Sequence, residues 1–280
     1  MENSRHALIG EGILPLFGKP SPHQVVIDEG LYGMDCVILE EKDDYALIRM
    51  EYGYEGWVLK RGLCEGTWPS YLEKVRVGKR QIDVLAKTEV ASEILKTMPL
   101  GSVLTMAEDA YNRNLKEGWS CVRLADGSLG YTKSSYLMGY LPISFGKPET
   151  PEAAFRQGVC MTARLYEGTH YRWGGKSPQG IDCSGLCSMA YLICGSAIYR
   201  DAAIKEGFGM HEIVPSRMKP GDLLFFKGHV AMYLGGDRRL YIHSTAKAGS
   251  DGVDYNSLVP GDPLYRQDLA EGILQVGSLF

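Results

Sequence analysis

Short apolar stretches separated by charged or glycine-containing turns fill the first half of the chain. The clearest of them form two sets of three, Asp35–Leu39, Tyr45–Arg49 and Glu55–Val58, then Gly101–Thr105, Trp119–Leu124 and Ser128–Tyr131. Stretches of this kind, bounded by turn residues, are typical of β-strands. Both sets end alike, because Glu55–Lys60 and Ser128–Lys133 each place a glycine before an aromatic residue. The pattern predicts an internally duplicated β-domain, with an unrelated pair of β-meanders as the alternative.

The periodicity changes after a proline-rich connection at Leu141–Pro151. Between Glu152 and Tyr166 apolar residues such as Ala154, Val159 and Ala163 recur near helical spacing, and a proline followed by a glutamate suits a first helical turn. A helix is therefore predicted to open a third domain. The predicted domains are residues 1–70, 71–140 and 141–280.

A second helical stripe begins directly after Cys183. Its apolar positions follow the spacing i, i+3, i+4 and i+7 and are Leu186, Met189, Ala190 and Ile193. Gly195 suits the end of this helix, so Cys183 lies at its N-terminus. Unpaired amides and the helix dipole at that end stabilise a thiolate, and the Cys183 amide is a candidate oxyanion donor. Taken alone, the motif also fits a buried structural cysteine preceded by Asp182 as helix cap.

Two histidines lie on predicted strands downstream of this helix. If Leu234 pairs with Leu240 across a five-residue turn, Ala231 faces His243, and period-two alternation puts His229 on the same face as His243. A thiol nucleophile, a base and a group that orients the base are what thiol acyl transfer requires. We therefore predict that His229 takes the proton of Cys183 and that His243 orients the His229 ring.

Charge and composition narrow the possible partners. The 280 residues include 30 basic and 34 acidic side chains, for a net charge of −4, so neither nucleic acid nor an anionic membrane is expected as a partner. The N-terminal segment lacks the apolar core of a signal peptide, and no window approaches a membrane span. We expect a cytoplasmic protein, although a chain whose leader had been removed would look the same.

The seven cysteines form no dense disulfide framework, so reduced thiols are expected. Cys36, Cys64 and Cys121 are predicted to be small buried residues. Cys183, Cys187 and Cys194 have helical spacing without the paired short knuckles of structural zinc sites. No metal is expected.

Four motifs resemble those of the NlpC/P60 family of papain-like cysteine peptidases, and they are Asp182–Leu186, Gly221–Phe226, His229–Gly235 and Ile242–Ser244. The resemblance covers about residues 150–280. The two upstream β-domains resemble the bacterial SH3-like domains that often accompany this family. The resemblance implies a multidomain protein with two small all-β SH3-like barrels followed by an α+β papain-like domain.

Within the family, the chain is similar to enzymes of murein recycling. They hydrolyse the bond from γ-D-glutamate to a diamino acid, meso-diaminopimelate or L-lysine, in peptides with a free N-terminal L-alanine. The resemblance implies catalysis without a cofactor. It implies that Asp201 binds the free amine and that the cleft beside Cys183 is lined by Tyr171, Trp173, Asp182 and Ser184. Core packing is the alternative role for the two aromatic residues.

The resemblance also implies that the first SH3-like domain contributes a tyrosine and an acid to the cleft. Tyr54 matches the tyrosine, whereas the acid is Asp28 or Glu29, because Ser21–Gly33 departs from the family pattern. A second departure is Ala202 or Ala203, where relatives often place serine. The link of two residues before His229 is also short.

Two other functions remain open at the level of sequence. An amidase or acyltransferase would use the same triad on another amide, and a non-catalytic adaptor would bind peptidoglycan through the SH3-like domains. The expectation is a monomeric cysteine peptidase that acts on short murein peptides.

Overall fold

The computed structural model describes residues 5–21, 23–113 and 115–280, and it divides into two compact units, 1–140 and 141–280. The first four residues of the predicted first domain therefore lie outside the described residues, as does Pro22 in the segment Ser21–Gly33. Each unit is described by itself.

The first unit contains two antiparallel sheets of seven strands each. The strands of the first sheet are β1 (Arg5–Ile9), β2 (Ile13–Phe17), β3 (Val26–Leu31), β4 (Asp35–Lys42), β5 (Tyr45–Met50), β6 (Glu55–Leu59) and β7 (Leu63–Glu65). Those of the second are β8 (Lys74–Val77), β9 (Gln81–Leu85), β10 (Ile94–Pro99), β11 (Val103–Met106), β12 (Trp119–Arg123), β13 (Leu129–Lys133) and β14 (Leu137–Gly139). A short helix, α1 (Asp109–Asn112), precedes β12.

The strand orders confirm the internal duplication. They read β3-β2-β6-β5-β4-β1-β7 and β10-β9-β13-β12-β11-β8-β14, which is the same order with seven added to each number. In each copy a 3-10 turn, Lys60–Gly62 or Ser134–Tyr136, precedes the last strand. This order is not a meander, because the first strand of each copy pairs with both the fourth and the last.

The glycine of each glycine-aromatic pair lies where another strand approaches closely. A Cβ on Gly56 would lie 2.9 Å from the Cβ of Leu16, and one on Gly130 would lie 2.4 Å from Cγ1 of Val84. Leu16 and Val84 hold the same place in β2 and β9. The pairs recognised in the sequence therefore mark the same packing contact in the two copies.

The second unit is built from two longer helices, one short helix and a six-stranded antiparallel sheet. Its helices are α2 (Glu152–Arg164), α3 (Cys183–Ile193) and the short α4 (Gln267–Ala270). Its strands are β15 (Lys176–Ser177) and β16 (Gly180–Ile181), which form a separate pair, and β17 (His211–Ile213), β18 (Leu223–Phe226), β19 (His229–Gly235), β20 (Leu240–Thr245), β21 (Gly252–Ser257) and β22 (Gln275–Ser278). The sheet order is β17-β22-β18-β19-β20-β21.

Both predicted helices are present, but their buried positions differ in part from the prediction. In α2, Val159 and Ala163 are buried as expected, whereas Ala154 is exposed and Phe155 takes its place in the core. In α3 all eleven residues are buried, because α2 covers one side and β19 and β20 cover another. The helix that begins at Cys183 is therefore a central element of its unit.

The predicted pairing of Leu234 with Leu240 is wrong, yet the register derived from it is right. Tyr233 pairs with Tyr241, whereas Leu240 pairs with Gly235, and the register shift between Tyr233 and Gly235 leaves Leu234 in a bulge. A bulge adds one residue to one strand without changing the pairing on its far side. The two histidines consequently share a face as predicted.

No helix within residues 5–21, 23–113 and 115–280 is long and apolar enough to cross a membrane.

Candidate active site

Cys183 is the first residue of α3, and Asp182 caps the helix. The Oδ1 atom of Asp182 accepts hydrogen bonds from the Gly185 amide at 2.6 Å and from the Ser184 hydroxyl at 3.2 Å, while Oδ2 accepts from the Gly174 amide at 2.9 Å. The carboxylate therefore joins the first turn of α3 to the loop before it. The proposed contact of Asp182 with substrate stays a prediction, since the bonds of its carboxylate seen in the structure are all within the protein.

Arg200 completes the surroundings of this cap. Its side chain is 2% exposed, and its two terminal nitrogens each lie 3.0 Å from one oxygen of Asp182. The same guanidinium donates to the Ser184 hydroxyl at 2.8 Å and to the Gly175 carbonyl at 3.2 Å. A planar, two-pronged contact of this type fixes orientation as well as charge. Arg200 thus fixes the positions of Asp182 and Ser184, the residues on either side of Cys183.

Gly185, the glycine of the Asp182–Leu186 motif, lies where a side chain would not fit. A Cβ on Gly185 would lie 2.2 Å from the carbonyl oxygen of Gly175, so the loop before the helix packs directly on its first turn. This close approach brings the loop residue Tyr171 next to the nucleophile. Burial, and next the proximity of Cys183, raise the pKa of Tyr171 to about 12.

His229 and His243 are brought together by β19 and β20. The Nε2 atom of His229 lies 2.7 Å from Nδ1 of His243, and the two rings are arranged edge to face. His243 is fully buried and His229 partly so. The Nδ1 atom of His229 is the ring nitrogen that remains for Cys183, whose sulfur accepts a hydrogen bond from the neighbouring Val230 amide. The three predicted catalytic residues thus gather at one place.

The resting site is electrically neutral. Burial, and next the nearby Asp182, raise the pKa of Cys183 above its ordinary value, although backbone amides and Arg200 act in the opposite direction. Burial also lowers the pKa of His229 to about 3 and that of His243 to about 4. Desolvation therefore outweighs the amide donors at the helix N-terminus in setting the direction of the Cys183 pKa.

The neutral histidines predict a loss of stability in acid. Because the unfolded chain binds their protons near the ordinary pKa of 6.5, stability is present above that pH and falls as pH drops towards 4 and then 3. Each histidine steepens the loss by roughly 1.4 kcal/mol per pH unit in this window. Urea unfolding between pH 6.5 and 4.5 should show a shallower loss for a His229→Gln/His243→Gln variant. A matched variant at the exposed His6 and His211 should keep the wild-type slope, and equal slopes in all three proteins would contradict the prediction.

A fourth residue, Asn256, continues the histidine pair. Its Oδ1 lies 2.9 Å from Nε2 of His243, and its side-chain amide donates to the Leu264 carbonyl at 3.0 Å. Asn256 could not be recognised from the sequence, because β21 was not predicted and its burial pattern does not alternate. In the structure Asn256 pairs with Tyr241, two residues before His243, so it lies on the same face of the sheet as His243.

A small pocket with a volume of about 10 Å³ lies beside the first turn of α3, and its lining includes Ser184 and Val230. It also contains one acid and one base, Asp201 and Lys205, together with Tyr199. The Tyr199 hydroxyl donates to Asp201, and the Lys205 ammonium lies 4.2 Å from the centre of the Tyr199 ring. The predicted substrate residues Asp201 and Ser184 therefore line one pocket.

The two aromatic residues of the loop differ in exposure. Trp173 is 64% exposed, which contradicts the alternative that it packs in the core, while Tyr171 is half-buried. The contact of both aromatic residues with a ligand stays a prediction.

The residues predicted from the first domain lie in the first unit. Tyr54 is half-buried and directly precedes β6. Asp28 and Glu29 are both fully buried in β3, and the hydroxyl that donates to Asp28, at 2.6 Å, belongs to Tyr52. Their roles towards substrate stay predictions.

All seven cysteines are free thiols. Within the described part of the chain, no cluster of three or more histidine, cysteine, aspartate or glutamate side chains could hold a metal ion.

Known proteins share both the sequence and the fold of this chain. A sequence profile of the NlpC/P60 family matches residues 168–262, which include the cysteine and both histidines. Dipeptidyl-peptidase 6 of Lysinibacillus sphaericus is 45% identical over 271 residues, which cover 95% of this chain and 96% of that protein. The bifunctional muramidase/DL-endopeptidase CwlT of Bacillus subtilis is 32% identical over 41% of this chain and 36% of its own. The crystal structure of an NlpC/P60 family protein from Bacillus cereus superposes with a TM-score of 0.74 at 20% identity, covering 97% of this chain and 98% of that one.

Proposed function

Because the chain belongs to the NlpC/P60 family, we propose that it is a cysteine peptidase that hydrolyses the bond between γ-D-glutamate and the diamino acid of short murein peptides. Relatives named as a dipeptidyl-peptidase and a DL-endopeptidase support a peptidoglycan-related hydrolase. The observation that carries the cysteine mechanism is the 2.7 Å contact between His229 and His243 beside the buried Cys183.

The reaction follows from the neutral resting site. Nδ1 of His229 accepts the thiol proton as the Cys183 sulfur bonds to the γ-carbonyl carbon, and the Cys183 amide stabilises the oxyanion. The carbon–nitrogen bond then breaks, and the proton passes from His229 to the leaving amine. Water attacks the thioester with His229 again as base, which releases the acid and restores the thiol. Burial lowers the pKa of His229 to about 3, so the imidazole carries no extra proton at neutral pH before the reaction begins.

The pocket lining favours a zwitterionic ligand. In L-Ala-γ-D-Glu the alanine carries a free amine, and the α-carboxylate of glutamate is free because the amide uses the γ-carboxyl group. Asp201 and Lys205 offer one negative and one positive group in the same small pocket. We propose that Asp201 pairs with the amine and Lys205 with the α-carboxylate. Lys205 would supply a polar contact to the ligand that Ala202 or Ala203 cannot make, where relatives often have a serine.

The proposal is tested with the tripeptide L-Ala-γ-D-Glu-diamino acid, in meso-diaminopimelate and L-lysine forms, by following dipeptide release. N-acetylation of the alanine, or Asp201→Asn, is expected to lower kcat/KM by about 10²-fold, since a charge-assisted bond is lost. The matched variant Asp237→Asn, in the exposed turn between β19 and β20, should keep wild-type kinetics. Equal turnover of free and acetylated peptides would contradict the role of Asp201.

The same assay separates the other functions. An acyltransferase would move the dipeptide to an added amine instead of to water, which mass spectrometry of the product detects. An adaptor would release no dipeptide and show no substrate protection of Cys183 against iodoacetamide. We further propose that the two sheets of the first unit are SH3-like domains, which their shared strand order and glycine-aromatic pairs support.

A further inference from the structure

We propose that Asn256 is a positioning residue that acts through His243 to fix the tautomer of His229, so that the nitrogen facing Cys183 carries no proton before reaction. The inference rests on the proposed function in that it takes His229 as the catalytic base. It concerns a residue that touches neither the thiol nor the other histidine of the pair.

The orientation of the Asn256 amide is determined by its second contact. The carbonyl oxygen of Leu264 can only accept, and it already accepts from the Ser257 amide at 2.9 Å, which holds it in place. The Asn256 group 3.0 Å from that oxygen must therefore be the NH₂ group. The Oδ1 atom then faces His243. Asn256 is 8% exposed, so water does not offer it an easy alternative partner.

The amide orientation sets the proton positions along the chain of contacts. Because Oδ1 of Asn256 accepts only, Nε2 of His243 carries a hydrogen and donates across the 2.9 Å contact. His243 is neutral, so its Nδ1 is an acceptor, and Nε2 of His229 must donate across the 2.7 Å contact. Neutral His229 then has its lone pair on Nδ1. One hydrogen bond accepted by the neutral amide of Asn256 thus determines which nitrogen of His229 is free, two rings away.

Aspartate at position 256 would open two routes to the opposite arrangement of protons on His243 and His229. An ionised aspartate would favour a doubly protonated His243, which donates from Nδ1 to His229 and moves the His229 proton to its own Nδ1. A protonated aspartate that donates to Nε2 of His243 would cause the same reversal. The charged groups that act on His243 are Arg266, Asp254 and Asp268, and the neutral rings of His229 and Tyr241 lie with their centres 4.9 and 5.4 Å from that of His243. Arg266 opposes protonation of both histidines, in line with the neutral arrangement.

The direct test is a long-range ¹⁵N–¹H correlation spectrum of the six histidines near neutral pH, which reports the protonated nitrogen of each ring. In the wild-type protein we expect Nε2–H for both His229 and His243. Asn256→Asp should shift the proton of His229 to Nδ1 and reduce kcat by about 10²-fold or more with little change in KM, since a wrong tautomer disables the base. If His243 ionises in this variant, activity should recover as pH rises.

The matched control is Asn112→Asp in the first unit. That asparagine also donates to a carbonyl, of Ala107 at 3.0 Å, and accepts from an amide, of Cys121 at 2.9 Å, so the substitution has a similar local cost. It should leave tautomers and kcat unchanged. An Nδ1–H His243 in the wild-type protein would overturn the inference without any variant, as would full activity of a folded Asn256→Asp variant whose spectrum shows a proton on Nδ1 of His243. Because the spectrum needs no peptide, predicted tautomers without peptide cleavage would refute the proposed function alone.

Discussion

Replacement of Cys183 by alanine is expected to abolish hydrolysis of the tripeptide while leaving the protein folded. Without the sulfur no thioester forms, and His229 has no proton to accept, so kcat should fall by about 10⁴–10⁶-fold, as for other nucleophiles that act as part of a triad. Dipeptide release measured by mass spectrometry, with thermal unfolding on the same sample, checks both parts of the expectation.

The matched control is Cys194→Ala, at the other end of the same helix. Its thiol is partly exposed and lies one residue beyond α3, so its loss should leave turnover at the wild-type level. Normal turnover by Cys183→Ala would rule out the thiol mechanism. Loss of activity in both variants would instead point to damage of the helix.

Replacement of Arg200 by methionine is expected to lower both the stability of the protein and its activity. Methionine fills similar space but leaves the buried Asp182 carboxylate without its cation, and breaking such a pair costs about 3–5 kcal/mol. The helix cap, the Ser184 hydroxyl and the loop at Gly175 all lose a partner. Urea unfolding and kcat/KM, measured on the same variant, should both decrease. Lysine should rescue little, because an ammonium cannot replace the two-pronged contact.

A suitable control is Arg238→Met, which removes another two-pronged arginine–aspartate contact of the same unit. Arg238 lies 2.6 and 2.7 Å from the two oxygens of Asp262, but half of its side chain is exposed. Exposed ion pairs contribute little to stability, so this variant should resemble the wild-type protein. Equal losses in the two variants would show that burial of Arg200 has no special importance.

Much of the candidate site could be predicted from local sequence. The spacing in α3 placed Cys183 at a helix start, and alternation in β19 and β20 placed both histidines on one face. Such features depend on neighbours a few residues apart. The wrong partner predicted for Leu234 did not affect the predicted placement of the histidines, because the bulge lies between the turn and the histidines.

Other features depend on contacts between distant parts of the chain. Arg200 lies 18 residues beyond Asp182, and its place beside that carboxylate follows from packing. Strand β2 was not predicted, because it contains Pro15 and follows two glycines. In the structure Pro15 nevertheless pairs with Glu29 in the sheet. The pKa of Cys183 also escaped prediction, because burial is a property of the whole unit.

The complete burial of α3 has a consequence for how the enzyme can change through mutation. Cys183, the proposed nucleophile, belongs to a helix whose residues are all buried in the hydrophobic core. Substitutions in this helix that change the pKa of the thiol therefore also alter packing. Proteins tolerate only a limited loss of stability before function disappears. Variation in specificity should therefore accumulate in exposed segments around the pocket, such as those of Asp201 and Lys205, while the helix itself changes slowly.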